Sequence, residues 1–107
     1  QVAAAAECGA PCIEIHTGHF ADASTPRAAM DELARIVDAV REGTGAGMKV
    51  HAGHGLNYHN VHHIAAIPDI LELNIGHAII ARALFGGLGA AVGEMKRLMM
   101  QACQGPR

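Results

Sequence analysis

Three short stretches constrain the fold more than anything else in this chain: Cys12 to His16, Met48 to Ala52 and Ile70 to Ile75. Each alternates apolar and polar residues and is rich in β-branched or large aliphatic side chains, the pattern of a half-buried strand. Each is followed by a glycine-bearing loop and then by a helical pattern. Parity sorts the side chains. Ile13 and Ile15 share one face, with Glu14 and His16 on the other. Met48 and Val50 oppose Lys49 and His51, while Leu71, Leu73 and Ile75 oppose Glu72 and Asn74. A parallel sheet covered by helices on both faces reads as near-continuous apolar runs, and these strands do not. A two-layer sheet with one wet face explains any single strand. Three in succession favour a barrel wall, with helices outside and a polar interior.

The helices are marked by their ends. Residues 1 to 8 are good helix formers, stopped by Gly9 and Pro11. Thr17 to Thr25 reads as a loop. Thr25 is placed as N-cap and Pro26 as the first helical residue of a long helix. Met30, Leu33, Ile36, Val37 and Val40 make its apolar stripe, and Gly43, Gly45 and Gly47 end it. Asn57 is placed to cap a short helix reaching Ile67, where Pro68 stops it. A helix from about Ala78 to Gln101 follows, with an apolar stripe through Ile80, Leu84, Leu88, Val92 and Met95. Gly86, Gly87 and Gly89 mark either a close approach or a break. Residues 104–107 read as a frayed tail. The order, a helix end followed by strand and helix three times, predicts parallel strands with right-handed crossovers in one domain.

At 107 residues the chain is long enough for one small core, built from aliphatic residues because Trp is absent. The formal charge of −2 and the lack of a basic run exclude an electrostatic case for nucleic acid or an anionic membrane. No uninterrupted apolar segment reaches membrane-spanning length. Cys8, Cys12 and Cys103 form no CxxC motif and read as reduced, small apolar residues, which points to the cytoplasm.

Chemistry concentrates at the strand exits. His51 to His59 holds three of the eight histidines, and His54 stands between Gly53 and Gly55 on a strand-to-helix turn. Such a turn presents an imidazole that exchanges protons near neutral pH. The other two exits carry Glu14 with His16, and Asn74 with Gly76 and His77. Barrel sites lie at the C-terminal ends of the strands. Gly76-His77 opens a helix, so free backbone N–H groups there suit a phosphate. His59 and His63 are spaced to share a helix face, yet no HExxH or zinc-module spacing occurs.

Three blocks carry a resemblance. They are Ile13-Glu14-Ile15-His16-Thr17-Gly18, the run from Lys49 through His54-Gly55-Leu56-Asn57-Tyr58-His59-Asn60 to Val61, and Glu72-Leu73-Asn74-Ile75-Gly76-His77-Ala78-Ile79-Ile80. With Glu94-Met95-Lys96-Arg97-Leu98-Met99 behind them, they resemble the pyridoxine 5′-phosphate synthase family over essentially the whole chain. The resemblance implies a (β/α)8 TIM barrel of which this chain is the C-terminal part, strands 6 to 8. It implies condensation of 1-deoxy-D-xylulose 5-phosphate with 3-amino-2-oxopropyl phosphate to pyridoxine 5′-phosphate, phosphate and water. By match to the family motifs, His54 is the proton donor and Glu14 stabilises a transition state. Gly55, Gly76 and His77 bind the amino-oxopropyl phosphate. Neither metal nor organic cofactor is implied, and the assembly the resemblance implies is a cytosolic homo-octamer. His51 departs from the pattern, since relatives often carry Asn there. The family's remaining acid–base residues and most of its deoxyxylulose phosphate contacts belong to an N-terminal half outside these residues.

The opening Gln1-Val2-Ala3 reads as the middle of a helix, so the expectation is a barrel fragment that is inactive alone. The rival enzyme is another phosphate-binding barrel, an aldolase or isomerase, for which Lys49 is the one strand lysine. The non-enzymatic rival is a histidine-rich metal-binding module.

Overall fold

The computed structural model describes residues 1–104; the end of the expected tail, residues 105–107, lies outside them. Helix α1 (Val2–Glu7) leads into strand β1 (Cys12–His16). A four-residue helix α2 (Gly18–Ala21) precedes the long α3 (Pro26–Gly45). Then come β2 (Lys49–Gly53), α4 (Val61–Ala65), β3 (Ile70–Asn74), α5 (His77–Gly86) and α6 (Leu88–Cys103). The strands form one parallel sheet in the order β1-β2-β3, so this is a mixed α/β fold.

One face of the sheet makes the core. Val50 and Ala52 on β2 are buried with Ile36 and Val40 of α3, Phe20 of α2, Leu56, Ile64 and Ile67. Ile13, Ile15, Ile70, Leu73 and Ile75 pack half-buried around them. Each large aliphatic side chain removed from water contributes about 1.5–3 kcal/mol. The opposite face carries Glu14, His16, Lys49, Glu72 and Asn74, all exposed, and a half-buried His51. The parity argument thus holds for β1 and β2.

In β3 it fails at one residue. Val50 pairs with Ile70 while the next residue, His51, pairs with Glu72, so Leu71 is bulged out of the ladder. Ile70 therefore joins Leu73 against the core, and Leu71 is 65% exposed, contrary to its expected place on the apolar face.

Helix expectations also need correction. The loop after β1 contains α2, closed by the Ala21 N–H donating to Thr17 O at 3.0 Å. Helix α3 starts as expected, with Thr25 Oγ1 accepting from Ala28 N at 3.1 Å. It ends at Gly45, one of the three glycines placed at its end, but Gly43 is not part of the stop. Gly43 lies inside it and buried, where a Cβ would stand 2.8 Å from Ile13 Cδ1 and 3.0 Å from Val50 Cγ2. That glycine is there for helix-to-sheet approach, and the helix ends two residues later. Asn57 does act as a cap, its Oδ1 accepting from His59 N and Asn60 N at 2.8 and 3.0 Å, but it closes a turn before α4. His59 consequently lies outside that helix and shares no face with His63.

The expected long C-terminal helix is two helices. Gly87, at φ 91 and ψ 152, breaks it in a conformation essentially restricted to glycine. Only Ala91 and Met95 of α6 are buried, and α5 buries nothing fully, leaving Leu84 81% and Phe85 95% exposed. Tyr58 ties the pair to the β2 exit: its hydroxyl donates to Ala91 O at 2.7 Å, and Arg82 lies over its ring at 3.7 Å. Cys8, Cys12 and Cys103 are exposed residues rather than core ones, and the Cys103 thiol donates to Ala65 O at 3.3 Å. No described helix is long and apolar enough to cross a membrane.

Candidate active site

The parallel register sets polar side chains in rows across the sheet. Glu14 stands beside His51, which stands beside Glu72; one row on, His16 stands beside Gly53 and Asn74. Because Gly53 has no side chain, Asn74 reaches over it and donates from Nδ2 to Glu14 Oε2 at 2.7 Å. A Cβ at Gly53 would lie 2.7 Å from Asn74 O and 3.3 Å from Glu14 Oε1. Glu14 Oε1 makes no hydrogen bond among the described residues, so one carboxylate oxygen is oriented and the other is available.

His54 follows Gly53 at the exit of β2. Its φ is 96, an uncommon value for a side-chain-bearing residue, and Gly55 follows at φ 76. Thr17 donates from Oγ1 to His54 O at 2.6 Å. The His54 ring stacks on that of His16, centroids 4.4 Å apart and planes 24° apart. His16 Nδ1 in turn accepts from Gly18 N at 3.1 Å. A Cβ at Gly55 would sit 2.6 Å from Ala21 Cβ, so this turn has no space for a side chain against α2.

At the exit of β3, Gly76 is the N-cap of α5 and His77 its first residue. A Cβ on Gly76 would meet nothing within 4 Å, so a ligand can approach the backbone there. The first N–H groups of a helix have no intrahelical acceptor, and the helix dipole adds partial positive charge.

These three exits enclose a cavity of about 490 Å³, within the size range of small-molecule sites. Glu14, His54, Gly55, Gly76 and His77, the five residues singled out from the sequence, all line it. His16, Asn74, Leu56 and Ile75 complete the wall. A larger cavity, about 610 Å³, runs beside the open edge of β1 against α1 and α3. It touches Glu14 and His16 but no glycine turn and neither of the other strand exits. The smaller cavity, with an acid, imidazoles and backbone donors converging, is the chemically equipped one.

Sequence reasoning left three residues of this arrangement without a role. Thr17, the described residues' one buried polar side chain, looked like ordinary loop. Asn74 and His16 were visible at strand ends, yet their lateral partners depend on register. His51, unassigned from sequence, has partners outside the cavity lining: Nδ1 lies 3.2 Å from Glu72 Oε2 and 3.6 Å from Cys12 Sγ. Among the described residues no group of three or more His, Cys, Asp or Glu is arranged to hold a metal ion.

Fold and site together define an α/β protein with a small-molecule-sized cavity at the C-terminal edge of its parallel sheet. The sequence model of the family described as "Pyridoxal phosphate biosynthesis protein PdxJ" matches residues 1–101. The chain belongs to that family, which is one of vitamin B6 biosynthesis.

Proposed function

We propose that this chain forms the last three βα units of a (β/α)8 barrel and carries part of the active site of a pyridoxine 5′-phosphate synthase. The observation that carries the reading is the convergence of Glu14, His54, Gly55, Gly76 and His77 on one cavity in a member of this family. The substrates are 1-deoxy-D-xylulose 5-phosphate and 3-amino-2-oxopropyl phosphate. The amine condenses with a carbonyl to an imine, phosphate and water leave, and the ring closes to pyridoxine 5′-phosphate.

Each residue has a task suited to its position. His54 is the proton donor; a placed acid or base contributes roughly 10²–10⁴ in rate. Glu14 stabilises positive charge developing on the imine nitrogen through the oxygen that Asn74 leaves available. The amino-oxopropyl phosphate is held by the backbone N–H groups of Gly55, Gly76 and His77, with the α5 N-terminus supplying favourable potential. The reaction calls for no metal and no organic cofactor. We expect the complete protein to be a cytoplasmic homo-oligomer, an octamer by its family, with neither nucleic acid nor membrane as partner.

The test is product formation. A complete barrel carrying these three units, given both substrates, should release inorganic phosphate and pyridoxine 5′-phosphate in equal amounts. Binding of both substrates without product would refute the reading. Borohydride trapping of a ketone substrate on Lys49 would point instead to a Schiff-base aldolase.

A further inference from the structure

We propose that His16 and Thr17, at the exit of β1, are positioning residues that hold the backbone and the ring of His54. The proposal rests on the reading of His54 as the proton donor, and it is carried by contacts that reading does not use. Thr17 is fully buried and grips two successive carbonyls of the neighbouring strand exit. Its N–H donates to Gly53 O at 2.9 Å and its Oγ1 to His54 O at 2.6 Å. The peptide planes on both sides of His54 are therefore fixed by one residue. Such a grip is what a side-chain-bearing residue at φ 96 requires, because that backbone state persists only where its surroundings over-determine it.

His16 does for the ring what Thr17 does for the backbone. Its imidazole lies 4.4 Å from that of His54 and is itself oriented by the Gly18 N–H at Nδ1. With Nδ1 accepting, the neutral His16 ring carries its proton on Nε2. Gly18 is moulded to both rings: a Cβ there would stand 2.4 Å from His16 Cε1 and 3.0 Å from His54 Cδ2. Three consecutive residues of β1's exit thus address one residue of β2's exit. A loop serving only as a connection has no need to match both the main chain and the side chain of a single neighbour.

The experiment compares Thr17→Val, Thr17→Ser and His16→Ala, first by nuclear magnetic resonance on the 107-residue chain below the concentration at which it self-associates. Thr17→Val should shift the His54 HN–Hα coupling away from its wild-type value and weaken the His16–His54 ring contacts, and Thr17→Ser should keep both. His16→Ala should remove the ring-current shift from the His54 ring protons while leaving the coupling in place. In the complete barrel, Thr17→Val should lower kcat by about tenfold or more, the scale expected for a misplaced group, with KM little changed. Thr17→Ser should recover most of that loss. An unchanged coupling in Thr17→Val, or a Thr17→Ser protein as impaired as Thr17→Val, overturns the role of the hydroxyl. Should Thr17→Val not fold, His16→Ala decides: unmoved His54 ring resonances overturn the proposal. The resonance measurements need no turnover, so a failure of the synthase reading leaves them standing and is told apart from a failure of the positioning.

Discussion

Gly53 is the residue on which the geometry of the site turns. It is the gap through which Asn74 and Glu14 meet, and the carbonyl on which Thr17 fastens. Gly53→Ala drives a Cβ to 2.7 Å from a backbone oxygen, which cannot swing aside as a side-chain end would. The expected result is a loss of about 1–3 kcal/mol in denaturant unfolding, as for other overpacked sites, together with lower turnover in the complete barrel. His54→Ala, by contrast, should leave stability nearly unchanged and slow product formation by at least about tenfold, read in a steady-state assay. At this scale the placement of His54, Gly55 and Gly76 at strand exits was legible, because glycines mark those turns. The sequence showed Asn74 only as a polar residue at a strand exit and Thr17 only as loop, because their partners lie on other strands and are fixed by pairing register.

Among the elements, the break between α5 and α6 has the clearest local cause. Gly87 at φ 91 and ψ 152 occupies a region that costs other residues about 1–3 kcal/mol. Gly87→Ala should therefore lower the melting temperature, by about 4–8 °C per kcal/mol lost in a domain of this size, checked by calorimetry. Helix α4 gives a pH effect. Burial, and secondarily the charge of His62, hold the His63 pKa below its ordinary 6.5. The unfolded chain then takes up this proton first as pH falls, so stability drops from about pH 6.5 downward through the lowered folded value. His63→Gln should lose less stability than wild type between about pH 7.5 and about pH 5.5 in denaturant titrations. The strands were legible to within a residue because alternation and β-branching agree. The bulge at Leu71 was not, since it shifts parity without any glycine or proline to announce it. The glycines of α3 and α5–α6 looked alike in sequence and do opposite things. Gly43 packs a continuous helix on the sheet, and Gly87 ends one.

On the scale of the whole molecule, the sheet has one apolar face covered by helices and one polar face open. β1 and β3 each offer one edge with no partner strand among the described residues. Ile80, Leu84 and Phe85 of α5 are exposed as well. In the barrel proposed above, further strands would cover both the edges and the polar face. The account predicts that this chain alone self-associates in sedimentation velocity, through edges and apolar surface of the kind that promote association, and gives no pyridoxine 5′-phosphate. A monodisperse monomer with clear turnover contradicts it. One parallel sheet was legible in three alternating strands, whereas its closure into a barrel belongs to the proposed function. The most direct test of the central claim, that the three strand exits form one phosphate-substrate site, is a ¹⁵N-resolved titration of this chain with 3-amino-2-oxopropyl phosphate. The account predicts that the largest shifts fall on the backbone N–H groups of Gly55, Gly76 and His77; shifts confined to the α1–α3 cavity beside β1, or none at saturating ligand, would contradict it.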